Sequence, residues 1–142
     1  MTKYVLSIDG GGVRGLASAT FLSELDKVAP KKLSECFDLI VGTSTGGIIA
    51  LAISILDLQK DDLVKIYSKE NIKKIFSPFR YRIFGSKYAG KVKRKVFKDY
   101  FKAETLSAAK TPTMITAFDL EKRRVKMFKS WTEGYLPARR VA

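Results

Sequence analysis

Residues 39–56, Leu-Ile-Val-Gly-Thr-Ser-Thr-Gly-Gly-Ile-Ile-Ala-Leu-Ala-Ile-Ser-Ile-Leu, run for eighteen positions without a charge. That length would suit a membrane-spanning helix. The middle argues against one, because Gly42 to Gly47 is all glycine and hydroxyl and has poor helix propensity. Leu39 to Val41 instead reads as a buried strand and Ile48 to Leu56 as a very apolar helix, with a tight turn between them. That turn, Gly42-Thr43-Ser44-Thr45-Gly46, spells G-x-S-x-G. Its small flanking residues permit the sharp strand-to-helix bend that projects a serine hydroxyl outward.

Upstream the same pattern occurs once before. Lys3 to Ile8 reads as a short buried strand that runs into Asp9-Gly10-Gly11-Gly12-Val13-Arg14-Gly15. A helix follows from Leu16 to Val28, where Leu16, Ala17, Phe21, Leu22, Leu25 and Val28 recur at helical spacing before Pro30. In such a loop backbone N–H groups can turn inward unobstructed, and the helix start adds partial positive charge, which makes an anion cradle. Gly10 to Gly15 also spells G-x-G-x-x-G, the dinucleotide fingerprint. A Rossmann unit wants an acid at the end of its second strand, but Asp38 precedes Leu39 to Val41 and the strand runs into Gly42. A phosphate-binding P-loop wants Lys-Ser/Thr after its last glycine, and Leu16-Ala17 stands there. The loop alone leaves a structural turn, a nucleotide phosphate site and an oxyanion hole open. Two neighbouring strand-loop-helix units predict an α/β fold with a mainly parallel central sheet and both loops at carboxyl strand ends. A serine on one loop and backbone donors on the other suit acyl transfer. Each donor to the oxyanion would be worth roughly 3 kcal/mol.

Composition narrows the chemistry further. The 142 residues contain no histidine, which excludes Ser-His-Asp and Cys-His catalysis and any imidazole metal ligand. The single cysteine, Cys36, can form neither an intramolecular disulfide nor a thiolate cage. No metal or organic cofactor is implied. The apolar run from Tyr4 to Ile8 is too short for a signal peptide, so a cytoplasmic protein is expected, with peripheral membrane contact as an option. There is no repeat or linker, and one domain over 1–142 is the simplest reading.

Asp61 and Asp62 can open a helix whose stripe is Leu63, Ile66, Tyr67, Ile72, Ile75 and Phe76, ending before Pro78. A basic aromatic loop, Ser77 to Gly90, leads to a helix over Lys91 to Lys102. Thr113 to Leu120 and Val125 to Lys129 read as two strands of a hairpin, turned at Glu121 to Arg124. Of the 27 Lys/Arg, 14 fall in residues 60–102, against 4 of the 14 acids. Eleven of them lie among the aromatics of Lys73 to Lys102, a mix that reads first as a solvated helix face and second as a surface for anionic membrane. No reader motif such as an RNP box supports nucleic-acid binding.

Asp9 to Gly15 as D-G-G-G-x-R-G and Gly42 to Gly47 as G-T-S-T-G-G resemble the patatin-like phospholipases, lipid acyl hydrolases that use a Ser-Asp dyad without histidine. The resemblance continues through Lys87 to Phe101, Thr105-Leu106 and Thr113 to Phe128. It implies a three-layer α/β/α domain acting on phospholipid or related acyl-lipid esters, of phospholipase A or lysophospholipase type. By it Ser44 is the nucleophile, and Gly10, Gly11, Gly12 and Arg14 form the oxyanion hole. Gly42, Thr43, Thr45 and Gly46 complete the elbow, and Asp9 holds the loop by accepting backbone hydrogen bonds. The family's aspartate lies in a later D-G-G or D-G-A, whereas the only Asp-Gly pair here is Asp9-Gly10. The expected chain therefore lacks the base and the C-terminal part of the fold. Asp119 and Asp99 are the substitutes within it. The competing readings are an inactive lipid- or partner-binding module and a nucleotide-binding unit.

Overall fold

Strand-forming runs rich in Val, Ile and Thr assemble a four-stranded sheet in a computed structural model that describes residues 2–76, 97–102 and 104–132, with backbone alone at 74–76. Its strands are β1 (Val5–Ile8), β2 (Leu39–Thr43), β3 (Thr113–Asp119) and β4 (Arg124–Lys129), side by side in that order. β1, β2 and β3 are parallel and β4 returns antiparallel to β3. Register aligns Ile8 with Gly42 and Gly42 with Ile115, so the first two strands end together beneath the two loops.

Because side chains alternate along a strand, Ile8, Ile40, Ile115 and Phe128 share one face and pack in the core. Over that face lies α3 (Thr45–Ser54), every residue of which is buried. A helix apolar all round needs cover on all sides; the sheet supplies one, and α1 (Gly15–Val28) and α4 (Asp61–Lys65) supply others. Ile48 and Ala52 of α3 line a small apolar cavity together with Ile66, Phe97 and Phe101, the last two on a helical stretch at 97–101. α1 is tied to the entry of α4 where Asp26 accepts the Lys60 N–H at 2.9 Å. The mainly parallel α/β architecture is the one expected. Of the three layers, the described residues supply the sheet and one helical layer; Val5, Phe118, Val125 and Met127 stay exposed on the other face. No helix formed by the described residues is long and apolar enough to cross a membrane.

Two local expectations are corrected and one element is added. α3 starts at Thr45 rather than Ile48, because the elbow itself delivers its first turn. A short α2 (Leu33–Cys36) follows Pro30. The single helix expected from Asp61 to Phe76 is broken into α4 and α5 (Lys69–Phe76). Tyr67 and Ser68 close α4 by donating to the carbonyls of Val64 and Lys65, and the Ser68 hydroxyl then accepts the Asn71 N–H at 3.3 Å as a fresh N-cap. The hairpin lies where it is expected. The basic aromatic loop and residues 91–96 fall outside the described residues, so the stretch 73–102, on which membrane contact is expected, is described only at its ends and the contact is not tested.

The sheet's other end is fixed by Asp57, whose backbone sits in the left-handed region at φ 54°. Its carboxylate receives Lys32 at 2.7 Å, Lys110 at 2.8 Å and the Ser34 hydroxyl at 2.7 Å. This joins α2, the exit of α3 and the approach to β3. Burial alone would raise the carboxyl, but the hydrogen bonds from Lys110, Lys32 and Ser34 outweigh it and hold the carboxyl well below its ordinary 3.8. The stabilisation is therefore complete above about pH 4 and is lost as pH falls toward the folded value. Asp57→Asn tolerates the same backbone, removes the charge and turns one of the two acceptor oxygens into a donor. It is expected to cost about 1–2 kcal/mol at neutral pH in urea unfolding, with the gap to the parent closing toward about pH 2. A gap that stays constant with pH would contradict this account.

Candidate active site

Ser44 stands between β2 and α3 with φ 54° and ψ −122°, a conformation that costs a non-glycine residue about 1–3 kcal/mol. The fold holds it there from both sides. Behind it, the Gly47 N–H donates to the Ser44 carbonyl at 3.0 Å as α3 begins. Beneath it, α3 doubles back over the strand so closely that a Cβ on Gly42 would lie 2.5 Å from the Gly46 carbonyl oxygen. Thr45 and Gly46 are buried by this bend while Ser44 stays exposed. Among the described residues its hydroxyl makes no hydrogen bond, to a carboxylate or otherwise.

The glycine loop lies directly against this elbow. A Cβ on Gly10 would stand 2.8 Å from the Ser44 Cβ and 2.8 Å from the Thr43 carbonyl, so no other residue allows the approach. From the opposite side, a Cβ on Gly46 would strike the carbonyls of Ile8 and Asp9. The Gly11 N–H donates to the Thr45 hydroxyl at 3.2 Å, which stitches one loop to the other. Thr45 also shares a hydrogen bond with Tyr67, whose phenol is pushed up by burial and drawn partly back by that bond. The Tyr67 ring end fills the space over Gly15, where no side chain would fit. Helical spacing alone places Tyr67 only in an apolar stripe. The usable signal was its hydroxyl, which needs a partner once buried.

Past Gly11 the chain tightens into a 3₁₀ turn, Gly12–Arg14, that feeds α1. The Arg14 N–H returns to the Gly11 carbonyl at 3.1 Å, and the Arg14 side chain folds back beside Gly11. The Gly12 and Val13 amides belong to the first turn and have no acceptor within the helix, so they form its positive end. Asp9 is exposed, and among the described residues its carboxylate accepts no hydrogen bond. The bond from Gly11 to Thr45 performs the holding role expected of Asp9. Thr43 faces away from α3 and joins the Thr116 hydroxyl at 2.6 Å, binding β2 to β3 at the level of the nucleophile.

Ser44, Gly10, Gly11, Gly42, Thr45 and Gly46 are thus brought into one constellation, with Gly12 and Arg14 at its rim. The carboxylates named as substitute bases are elsewhere. Asp119 accepts the Glu121 and Lys122 N–H groups, each at 3.1 Å, and so shapes the hairpin turn. Asp99 is exposed on the helical stretch at 97–101. Among the described residues no cluster of His, Cys, Asp and Glu could hold a metal ion.

The family model described as Patatin, patatin-like phospholipase, matches residues 6–137. Patatin-17 of Solanum cardiophyllum is 34% identical over 137 residues, covering 87% of this chain and 35% of the relative. Patatin-like protein 2 of Oryza sativa subsp. indica is 30% identical over 155 residues, covering 94% and 38%. Phospholipase A I of Arabidopsis thaliana is 43% identical over 63 residues, 44% of this chain and 5% of that protein. The chain spans little more than a third of the length of the first two relatives.

Strain at Ser44 is directly measurable. Ser44→Ala keeps a Cβ at φ 54°, while Ser44→Gly releases it. The glycine variant is expected to be more stable than the alanine variant by about 1 kcal/mol in denaturant unfolding, after the entropy cost of glycine is counted. Equal stabilities would mean that the elbow is unstrained.

Proposed function

This chain belongs to the patatin-like phospholipase family, and from that premise we propose that Ser44 is the nucleophile of a serine lipid acyl hydrolase of phospholipase A or lysophospholipase type. The observation that carries the reading is the contact of Gly10 with the strained serine: an exposed hydroxyl lies against a loop whose Gly12 and Val13 amides have no acceptor within the helix. Ser44 Oγ attacks the ester carbonyl of the acyl lipid, and the carbonyl oxygen gathers charge as the tetrahedral intermediate forms. That charge faces the Gly10-Gly11-Gly12 loop at the positive end of α1, with the Arg14 guanidinium beside it. Each amide donor that points at the oxyanion is worth roughly 3 kcal/mol. Collapse of the intermediate expels the lipid alcohol and leaves the acyl group on Ser44, from which water releases it.

The proton of Ser44 needs an acceptor. In the dyad it is an aspartate, and we assign that aspartate to residues other than these 142, since no carboxylate among the described residues touches Ser44. Without it the hydroxyl stays neutral near pH 7, at a loss of roughly 10²- to 10⁴-fold in rate.

Fluorophosphonate labelling and p-nitrophenyl ester hydrolysis test both parts. In a chain that also carries the aspartate, labelling and hydrolysis are expected, and Ser44→Ala is expected to remove them. An unlabelled Ser44 there would overturn the nucleophile. The 142 residues alone are expected to hydrolyse roughly 10²- to 10⁴-fold more slowly. Robust Ser44-dependent turnover by them would show that the base lies within the chain.

A further inference from the structure

We propose that Tyr67 is a positioning residue for the glycine loop: through the Thr45 hydroxyl it fixes Gly11, and with Gly11 the direction of the amides that follow. The proposal deepens the hydrolase reading and rests on it for its purpose, but the link itself is geometric and can be tested without turnover.

A run of three glycines does not hold its own shape. Gly10, Gly11 and Gly12 have no side chains to restrict them, and glycine loses more conformational freedom on folding than any other residue. Donors stabilise an oxyanion when they are aimed before the charge develops, so the loop needs a restraint from outside. Two bonds converge on Gly11. Its N–H donates to Thr45 Oγ1 at 3.2 Å, across 34 positions of chain, and its carbonyl accepts the Arg14 N–H at 3.1 Å. The peptide unit is planar, so holding the Gly11 carbonyl also sets the Gly12 N–H on the other side of that unit. The Arg14 bond lies inside the 3₁₀ turn and shapes the loop locally. The Thr45 bond fastens that shape to the nucleophile elbow. Gly11 thereby spends its own amide on holding the loop, while the Gly12 and Val13 amides have no acceptor within the helix.

Thr45 holds Gly11 only while its hydroxyl is turned the right way. A threonine oxygen has one proton and two lone pairs, and the proton rotates to suit its surroundings. The Gly11 N–H requires a lone pair. Thr45 is 3% exposed, which leaves the rotor to protein partners rather than to bulk water. Tyr67 is that partner. Its hydroxyl shares a hydrogen bond with Thr45, and the two oxygens meet over Gly15, where an added Cβ would lie 3.1 Å from Thr45 Oγ1 and strike the Tyr67 hydroxyl. The phenol is firmly placed: Tyr67 is 4% exposed, and its N–H donates to the Val64 carbonyl at 2.9 Å in the turn that closes α4. The relay therefore runs from the exit of α4, through Thr45 at the start of α3, to the loop between β1 and α1. Buried as it is, Tyr67 acts through Thr45 and not on the ester.

The test is Tyr67→Phe, which keeps the ring and removes the hydroxyl, in a chain that also carries the aspartate. On a p-nitrophenyl ester kcat is expected to fall roughly 10-fold with KM unchanged, because the loss falls on donors used in the transition state. Hydrogen exchange at the Gly11 amide is expected to quicken by about 5-fold or more. Thr45→Val removes the middle of the relay and is expected to lower kcat by at least as much. Adding Tyr67→Phe to Thr45→Val is expected to change kcat by less than about 2-fold, since residues in one hydrogen-bonded chain are not additive. A purely structural Tyr67 gives a different result: a lower melting temperature, with kcat and Gly11 exchange at parent values below it. That result would overturn the proposal, and so would losses that multiply in the double variant or a rise in KM with kcat intact. Gly11 exchange that depends on Tyr67 without any Ser44-dependent turnover or labelling upholds the link and removes the hydrolase. Turnover indifferent to Tyr67→Phe removes the link and leaves the hydrolase.

Discussion

Two backbones touch in this protein with no side chain between them, and the arrangement around the serine follows from that contact. The glycine loop leaving β1 and the elbow leaving β2 approach until Gly10 meets Ser44 and Gly46 meets the carbonyls of Ile8 and Asp9. The approach is possible because β1 and β2 pair in parallel register and stop at the same level. Once the loops meet, the Gly11 N–H finds Thr45, and Tyr67 closes over both. Strain at Ser44 and the positive end of α1 are then held in the same place by packing that neither loop has alone.

α3 carries that constraint through the core. Its first turn is the elbow and its exit leads to Asp57, so the helix is held at both ends. Between those ends every residue is buried, and small residues such as Gly47, Ala50 and Ala52 let neighbouring elements come close. The polar contacts lie at the ends and the dispersion contacts in between, which suits a helix with no face to offer water.

Much of this was legible in the residues. Glycine clusters after short apolar runs marked the two loops, and the uncharged stretch from Leu39 to Leu56 resolved into strand, bend and helix by propensity alone. The β3–β4 hairpin followed from two strand-like runs around a charged turn. Other features were hidden because long-range partners decide them. The break at Ser68 depends on Tyr67 turning inward to Gly15, a contact across more than fifty positions of chain. The left-handed backbone of Asp57 is paired with lysines and a serine drawn from two other segments. Periodicity reports which face of a helix is apolar, but it does not report which hydroxyl on that face another loop will require.

The order β1-β2-β3 has a consequence for chirality. For three parallel strands laid side by side in chain order, the rule that such crossovers are right-handed puts their connecting helices on the same flank. Cover for the other flank requires the winding to reverse, which a strand joining the edge of β1 that has no neighbour among the described residues would accomplish. A reversal there would fall beside the glycine loop and make that boundary a topological switch point, the place where open α/β sheets form their ligand crevice.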